Sequence, residues 1–145
     1  MIEITSFLEK CYAEMSFSEN GLRFDPESVL TTIEMSNRSG GCFLVLFDDE
    51  GITGIFAAMV VPNIMDHSQL RAVEYIWHSR PNLPKITRIE TMKTLLDHAK
   101  MWAQEKNIYL VISASTKKPA VSRILEKEGF SALETSYGRS FTHGN

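Results

Sequence analysis

Two apolar runs, "LRAVEYIW" (Leu70 to Trp77) and "IYLVISAS" (Ile108 to Ser115), flank a stretch whose apolar residues recur every three or four positions. The flanking runs are rich in β-branched and aromatic residues and read as strands. Between them Ile89, Met92, Leu95, Leu96, Ala99, Trp102 and Ala103 share one face of a helix predicted from about Thr87 to Lys106. Strand, long helix and strand connect in one favoured way, as parallel neighbours joined by a right-handed crossover. This feature sets the class as α/β and names the centre of the sheet.

The remaining segments arrange themselves around that unit. Ile4, Phe7, Leu8, Cys11, Tyr12 and Met15 give a first helix an apolar face, with an end expected near "SENG". In "DPESVLTTIEMSN", Asp25 is a natural cap, Pro26 suits the first helical position, and Val29, Leu30 and Ile33 supply the stripe. Gly40 and Gly41 break the chain before "CFLVLF", a strand apolar on both faces. "DDEG" turns it back into "ITGIFAAMVV", which Pro62 is expected to close, and "PNIMDHSQ" then reads as a loop. After "IYLVISAS", Ser115 and Thr116 are read as a cap for a short helix in "KPAVSRILEKEGF", with Pro119 near its start and Gly129 as its stop. "ALETSYGRSF" is predicted as a closing strand. The expectation is one domain over residues 1–141, a mixed, twisted central sheet flanked by helices, with 142–145 as a short tail.

Composition narrows the chemistry. A net charge of −3 and a pI near 5.8 exclude general phosphate-backbone binding, so nucleic acid is not an expected partner. Neither a basic leader nor a membrane-length apolar run is present, which points to the cytoplasm. Cys11 and Cys42 have no pairing or ligand spacing, and His67, His78, His98 and His143 have no metal spacing, so no metal centre is expected. No Ser-His-Asp order or nucleophile elbow appears.

Glu74 stands out within the first strand. Strict alternation puts Leu70, Ala72, Glu74 and Ile76 on one face and Arg71, Val73, Tyr75 and Trp77 on the other, leaving a carboxylate among apolar neighbours. Burial would raise its pKa toward the range of a general base. The alternatives are an ion pair with a neighbouring cation or an exposed edge. His78, at the strand end, either lines the same cleft or lies on the surface.

In order, these elements resemble the GCN5-related N-acetyltransferase (GNAT) superfamily. "AVEYIW" followed by "LLDHAKMWAQEKNI" looks like its phage-encoded branch, and "LEKEGF" looks like the end of its C-terminal helix. The resemblance implies an enzyme moving an acetyl group from acetyl-CoA to a primary amine of a small molecule or protein, by direct attack in a ternary complex, with Glu74 as base. Acyl-CoA would lie in a V-shaped gap between the two central strands. Backbone N–H groups of Trp77, His78 and Ser79 would face the thioester, and the diphosphate would rest at the start of the long helix. The family's phosphate signature there has an Arg or Gln and glycines. This chain has "TRIETM", without glycine, so Thr87, Arg88, Ile89, Glu90, Thr91 and Met92 occupy the position, with Lys85 just before it. Either Thr87 and Glu90 form a capping box that merely starts the helix, or Arg88 and Lys85 hold phosphates by side chain. Glu90 would crowd a diphosphate. The family's acid, a Tyr, is replaced by Leu125, and Tyr137 is the nearest substitute. The acceptor is expected from the side of the first two helices and "PNIMDHSQ", and a homodimer and a host-cell location for a phage product are both open. The alternatives are a catalytically inactive binding or virion-associated protein and a regulatory module that binds acyl-CoA without turnover.

Overall fold

A computed structural model describes residues 2–14 and 21–141. The elements run α1 (Ile2–Tyr12), α2 (Pro26–Arg38), β1 (Cys42–Asp48), β2 (Gly51–Asn63), β3 (Asp66–Ser79), α3 (Lys85–Lys106), β4 (Tyr109–Val111) and α4 (Pro119–Lys127). The strands form one twisted mixed sheet in the order β1-β2-β3-β4. The first two pairings are antiparallel, while β3 and β4 are parallel across α3, as the crossover requires.

Helices cover both faces. On one, Phe56, Ala58, Ala72 and Trp77 pack against Leu95, Leu96 and Ala99 of α3 and Ile124 and Leu125 of α4. On the other, Ile52, Ile55, Ala57 and Ile76 meet Phe7, Leu8 and Cys11 of α1 and Ile33 of α2. Local chemistry sets the helix ends: the Asp25 carboxylate accepts from the Ser28 N–H at 3.1 Å, with Pro26 next in line, so α2 starts where the sequence places it. Gly54 lets α3 settle on the sheet, because a Cβ there would stand 2.7 Å from Thr91 Cγ2 and 2.9 Å from Leu95 Cδ1.

Several boundaries differ from expectation. α1 ends at Tyr12, while Met15 and the Ser18 to Asn20 part of "SENG" lie outside the described residues. Pro62 does not close β2: the strand runs on to Asn63, since β1 pairs no further than Ala58 and a proline is tolerated at an open edge. "PNIMDHSQ" is therefore no loop but the end of a long hairpin whose turn is Ile64 and Met65 alone. β4 keeps only three residues of "IYLVISAS". "ALETSYGRSF" forms no strand, and every residue from Ser131 to Phe141 is exposed.

Candidate active site

The parallel pair β3–β4 is registered at Arg71↔Tyr109, Ala72↔Leu110 and Val73↔Val111, and then stops. From Glu74 onward β3 keeps its partner β2 but has no ladder partner on the β4 side. The strands therefore part at Glu74, and the gap opens toward their C-terminal ends, where parallel α/β sheets place ligands. Backbone polar groups of β3 along this edge are available to an extended ligand.

The register also corrects the alternation. Ala57 opposes Ile76 and Ala58 opposes Glu74, so Tyr75 is an extra residue with no counterpart on β2. Glu74 stays on the face of Ala72, beneath α3 and α4, while the bulge brings Trp77 to that face and moves Ile76 beside Tyr75 on the face of α1 and α2. Glu74 makes no hydrogen bond or ion pair among the described residues, which removes the ion-pair reading. Burial alone pushes its pKa up to about 8.

Past Glu74 the strand is tied down. The Trp77 indole N–H donates to the Met92 carbonyl at 3.1 Å, fixing β3 to α3. Trp77 is buried in the core, and Ile89 and Met92 pack against that core. Ser79 is buried, its carbonyl near Cys11 Sγ at 3.8 Å and its hydroxyl accepting from Arg88 Nε at 3.4 Å. His78 is half-buried rather than on the surface. Burial first, then the positive charge of Lys118, pushes its pKa down to about 4. Cys11 is inert: burial, reinforced by the Glu14 carboxylate, pushes its thiol up to about 12.

The start of α3 overturns the capping-box reading. The helix begins at Lys85, two residues before Thr87, with Pro84 at the cap position and no side chain accepting from the first turn. Thr87 is a third helical residue whose carbonyl accepts from Thr91 Oγ1 at 2.8 Å. The first-turn N–H groups of Lys85, Ile86 and Thr87 thus lack a side-chain cap, and Lys85 and Arg88 supply positive charge beside them. Glu90 is exposed and lies beyond that first turn, so it does not sit over the free donors. The carboxylate that does approach is Glu14, which no sequence feature singled out. Its Oε2 is 3.3 Å from Arg88 and 3.4 Å from Lys118 Nζ. Lys118 is the cap residue of α4, which also lacks a side-chain cap; Ser115 accepts from the Lys117 N–H within the preceding turn and does not cap the helix.

Tyr137 is 94% exposed on the segment after α4. The Ile64–Met65 turn ends nine residues before Glu74 along β3, roughly 30 Å away, so it does not border the gap. Among the described residues no group of three or more His, Cys, Asp or Glu side chains gathers as a metal site, and no helix is long and apolar enough to cross a membrane.

This arrangement, a mixed sheet whose parallel pair splays over a helix N-terminus, is the fold of the GNAT acetyltransferases. No family model matches the chain and no curated protein matches it by sequence. Solved structures match it along most of its length. A transcriptional regulator from Bacillus halodurans C-125 aligns with TM-score 0.70 at 17% identity, over 96% of this chain and 91% of that one. The aminoglycoside acetyltransferase meta-AAC0020 from an uncultured soil metagenomic sample aligns at 0.66 and 16%, over 99% and 88%. A GNAT family acetyltransferase from Staphylococcus aureus aligns at 0.56 and 9%, over 86% and 84%. At these identities the likeness is one of fold.

Proposed function

We propose that the protein is an acetyl-CoA-dependent N-acetyltransferase acting on a primary amine. The observation that carries this reading is Glu74, a carboxylate without a partner at the point where β3 and β4 part, with its pKa raised to about 8 by burial. A half-buried base of that strength can take a proton from an ammonium acceptor near neutral pH, directly or through water. Amine attack on the thioester carbonyl then needs the two substrates side by side, and holding them there supplies much of the rate. The edge of β3 beyond Val73 that faces away from β2 suits the acyl arm and its developing oxyanion, with the N–H groups of Trp77 and Ser79 on that edge and that of His78 turned toward β2. The uncapped start of α3 with Lys85 and Arg88 suits the diphosphate, and side-chain cations there replace the glycines that "TRIETM" lacks. With Tyr137 in solvent and Leu125 in the core, the CoA thiolate leaves without a protein acid. The acceptor enters from the α1–α2 side. Kinship with phage-encoded members rests on the "AVEYIW" and "LLDHAKMWAQEKNI" phrases alone.

Glu74→Gln keeps the shape of the side chain and removes the base. Turnover in a thiol-release assay with a panel of amines is expected to fall roughly 10²-fold, while calorimetric affinity for acetyl-CoA holds. Wild-type rate should climb with pH up to about 8, and the variant should lose that limb. Unchanged turnover would remove Glu74 from the chemistry. A second reading, a binding module without turnover, is favoured by the lack of an acid at the site and by the match to a protein described as a transcriptional regulator. Acetyl-CoA binding with no transfer to any amine would establish it.

A further inference from the structure

Resting on the donor site just proposed, we infer that Glu14 is an internal stand-in for the donor's phosphates, held in the mouth of the gap until the donor displaces it. Arg88 lies in the opening turns of α3 and Lys118 at the cap of α4, the two helices that follow β3 and β4 and whose N-termini face the mouth of the gap. Both cations reach a single oxygen, Glu14 Oε2, at 3.3 and 3.4 Å, so one anion bridges the two sides. Neither helix has a side-chain cap, and the bridging carboxylate is held by a cation from the start of each. Glu14 comes from a third place: its N–H donates to the Cys11 carbonyl at 3.0 Å in the turn that ends α1. Its backbone is anchored, yet its side chain can leave by rotation alone. Both ion pairs are about one-third exposed, which makes them weak enough to exchange. A diphosphate brings more charge and more acceptor oxygens to the same cations and to the free N–H groups of α3, and so outcompetes one carboxylate. Lys118 thereby becomes a donor-binding residue on the far side of the gap, and the Glu14 side chain is released when the donor binds.

The test is calorimetric titration of inorganic diphosphate and, separately, acetyl-CoA into the wild type, Glu14→Gln, Lys118→Gln and the double variant. Glu14→Gln is expected to bind both ligands roughly three- to tenfold more tightly, the gain shrinking as salt is raised. Lys118→Gln is expected to weaken diphosphate binding, and in the double variant the gain from Glu14→Gln should be reduced, because the two residues share one contact. Lys100→Gln, whose partner Glu128 lies on the far part of the molecule, serves as the control and should change nothing. Equal or weaker binding by Glu14→Gln overturns the inference while leaving the donor site standing, provided the wild type binds acetyl-CoA. Diphosphate gaining affinity with acetyl-CoA bound by no variant sustains the stand-in and sinks the donor reading. Failure of both ligands with every variant overturns both.

Discussion

At pH 7 Glu74 is mostly protonated in the folded protein, because its pKa stands at about 8 against an ordinary value of 4.5. The unfolded chain releases that proton from about pH 4.5, whereas the folded one keeps it until about pH 8. Stability from this group is therefore complete below pH 4.5 and falls as pH rises to about 8, by roughly 3–5 kcal/mol across the window. His78 acts in the opposite sense. Its folded value of about 4 lies below 6.5, so its contribution is complete above pH 6.5 and falls as pH drops toward 4, by roughly 2–3 kcal/mol. Between about 4.5 and 6.5 the two slopes cancel, giving a plateau with a decline on either side. Urea midpoints from pH 4 to 9 should show it. Glu74→Gln should abolish the alkaline limb and turn the plateau into a fall from about pH 6.5 down to 4, and His78→Gln should abolish the acid limb and start the alkaline decline at about pH 4.5; an alkaline limb unchanged in Glu74→Gln would mean that Glu74 is not desolvated.

At Gly54, α3 lies close on β2. Gly54→Val would drive a branched side chain into Thr91 and Leu95, both buried, and is expected to cost about 1–3 kcal/mol, measured as a lowered Tm. Pro84→Asp, at the start of α3, should do the reverse. It gives α3 the cap it lacks, adding about 1 kcal/mol of stability, and it weakens diphosphate binding by claiming the same N–H groups; tighter diphosphate binding would show that the anion does not sit at that terminus. What could be read from sequence follows the same division. Periodicity sufficed for α3, for its parallel strands and for α2, because an apolar stripe or a proline at a helix start is a local signal. The bulge at Tyr75 left no such trace: nothing in "AVEYIW" says that one residue lacks a partner, yet it decides that Trp77 and not Ile76 shares the face of Glu74. Thr87 and Glu90 have the spacing of a capping box, but the helix had already begun at Lys85. Glu14 was invisible because its partners stand 74 and 104 residues away in the chain. Contacts of that range are made by the fold and not by any neighbouring pattern.

For the molecule as a whole, both core clusters of the described residues are complete by Phe130. The segment after it alternates apolar and polar residues as a strand would, but Leu133, Tyr137 and Phe141 are 63, 94 and 78% exposed. Alternation describes a strand's faces; it does not provide an edge to pair with, and β4 offers only three residues before the gap opens. Arg139 packs over the Phe141 ring at 4.9 Å, a contact within the segment itself. A chain ending at Ser131 should therefore fold with a Tm within about 2 °C of the full protein, since exposed residues away from caps and cores contribute little to stability. Turnover should also persist, because Glu74, the start of α3 and Lys118 all precede the cut. Differential scanning calorimetry of the two chains, with sedimentation velocity beside it, distinguishes this from the alternative in which the segment pairs in solution with the free edge of β4. In that case the shortened chain would melt well below the full one, and a concentration-dependent mass in the full chain alone would identify the edge it pairs with as that of a second copy.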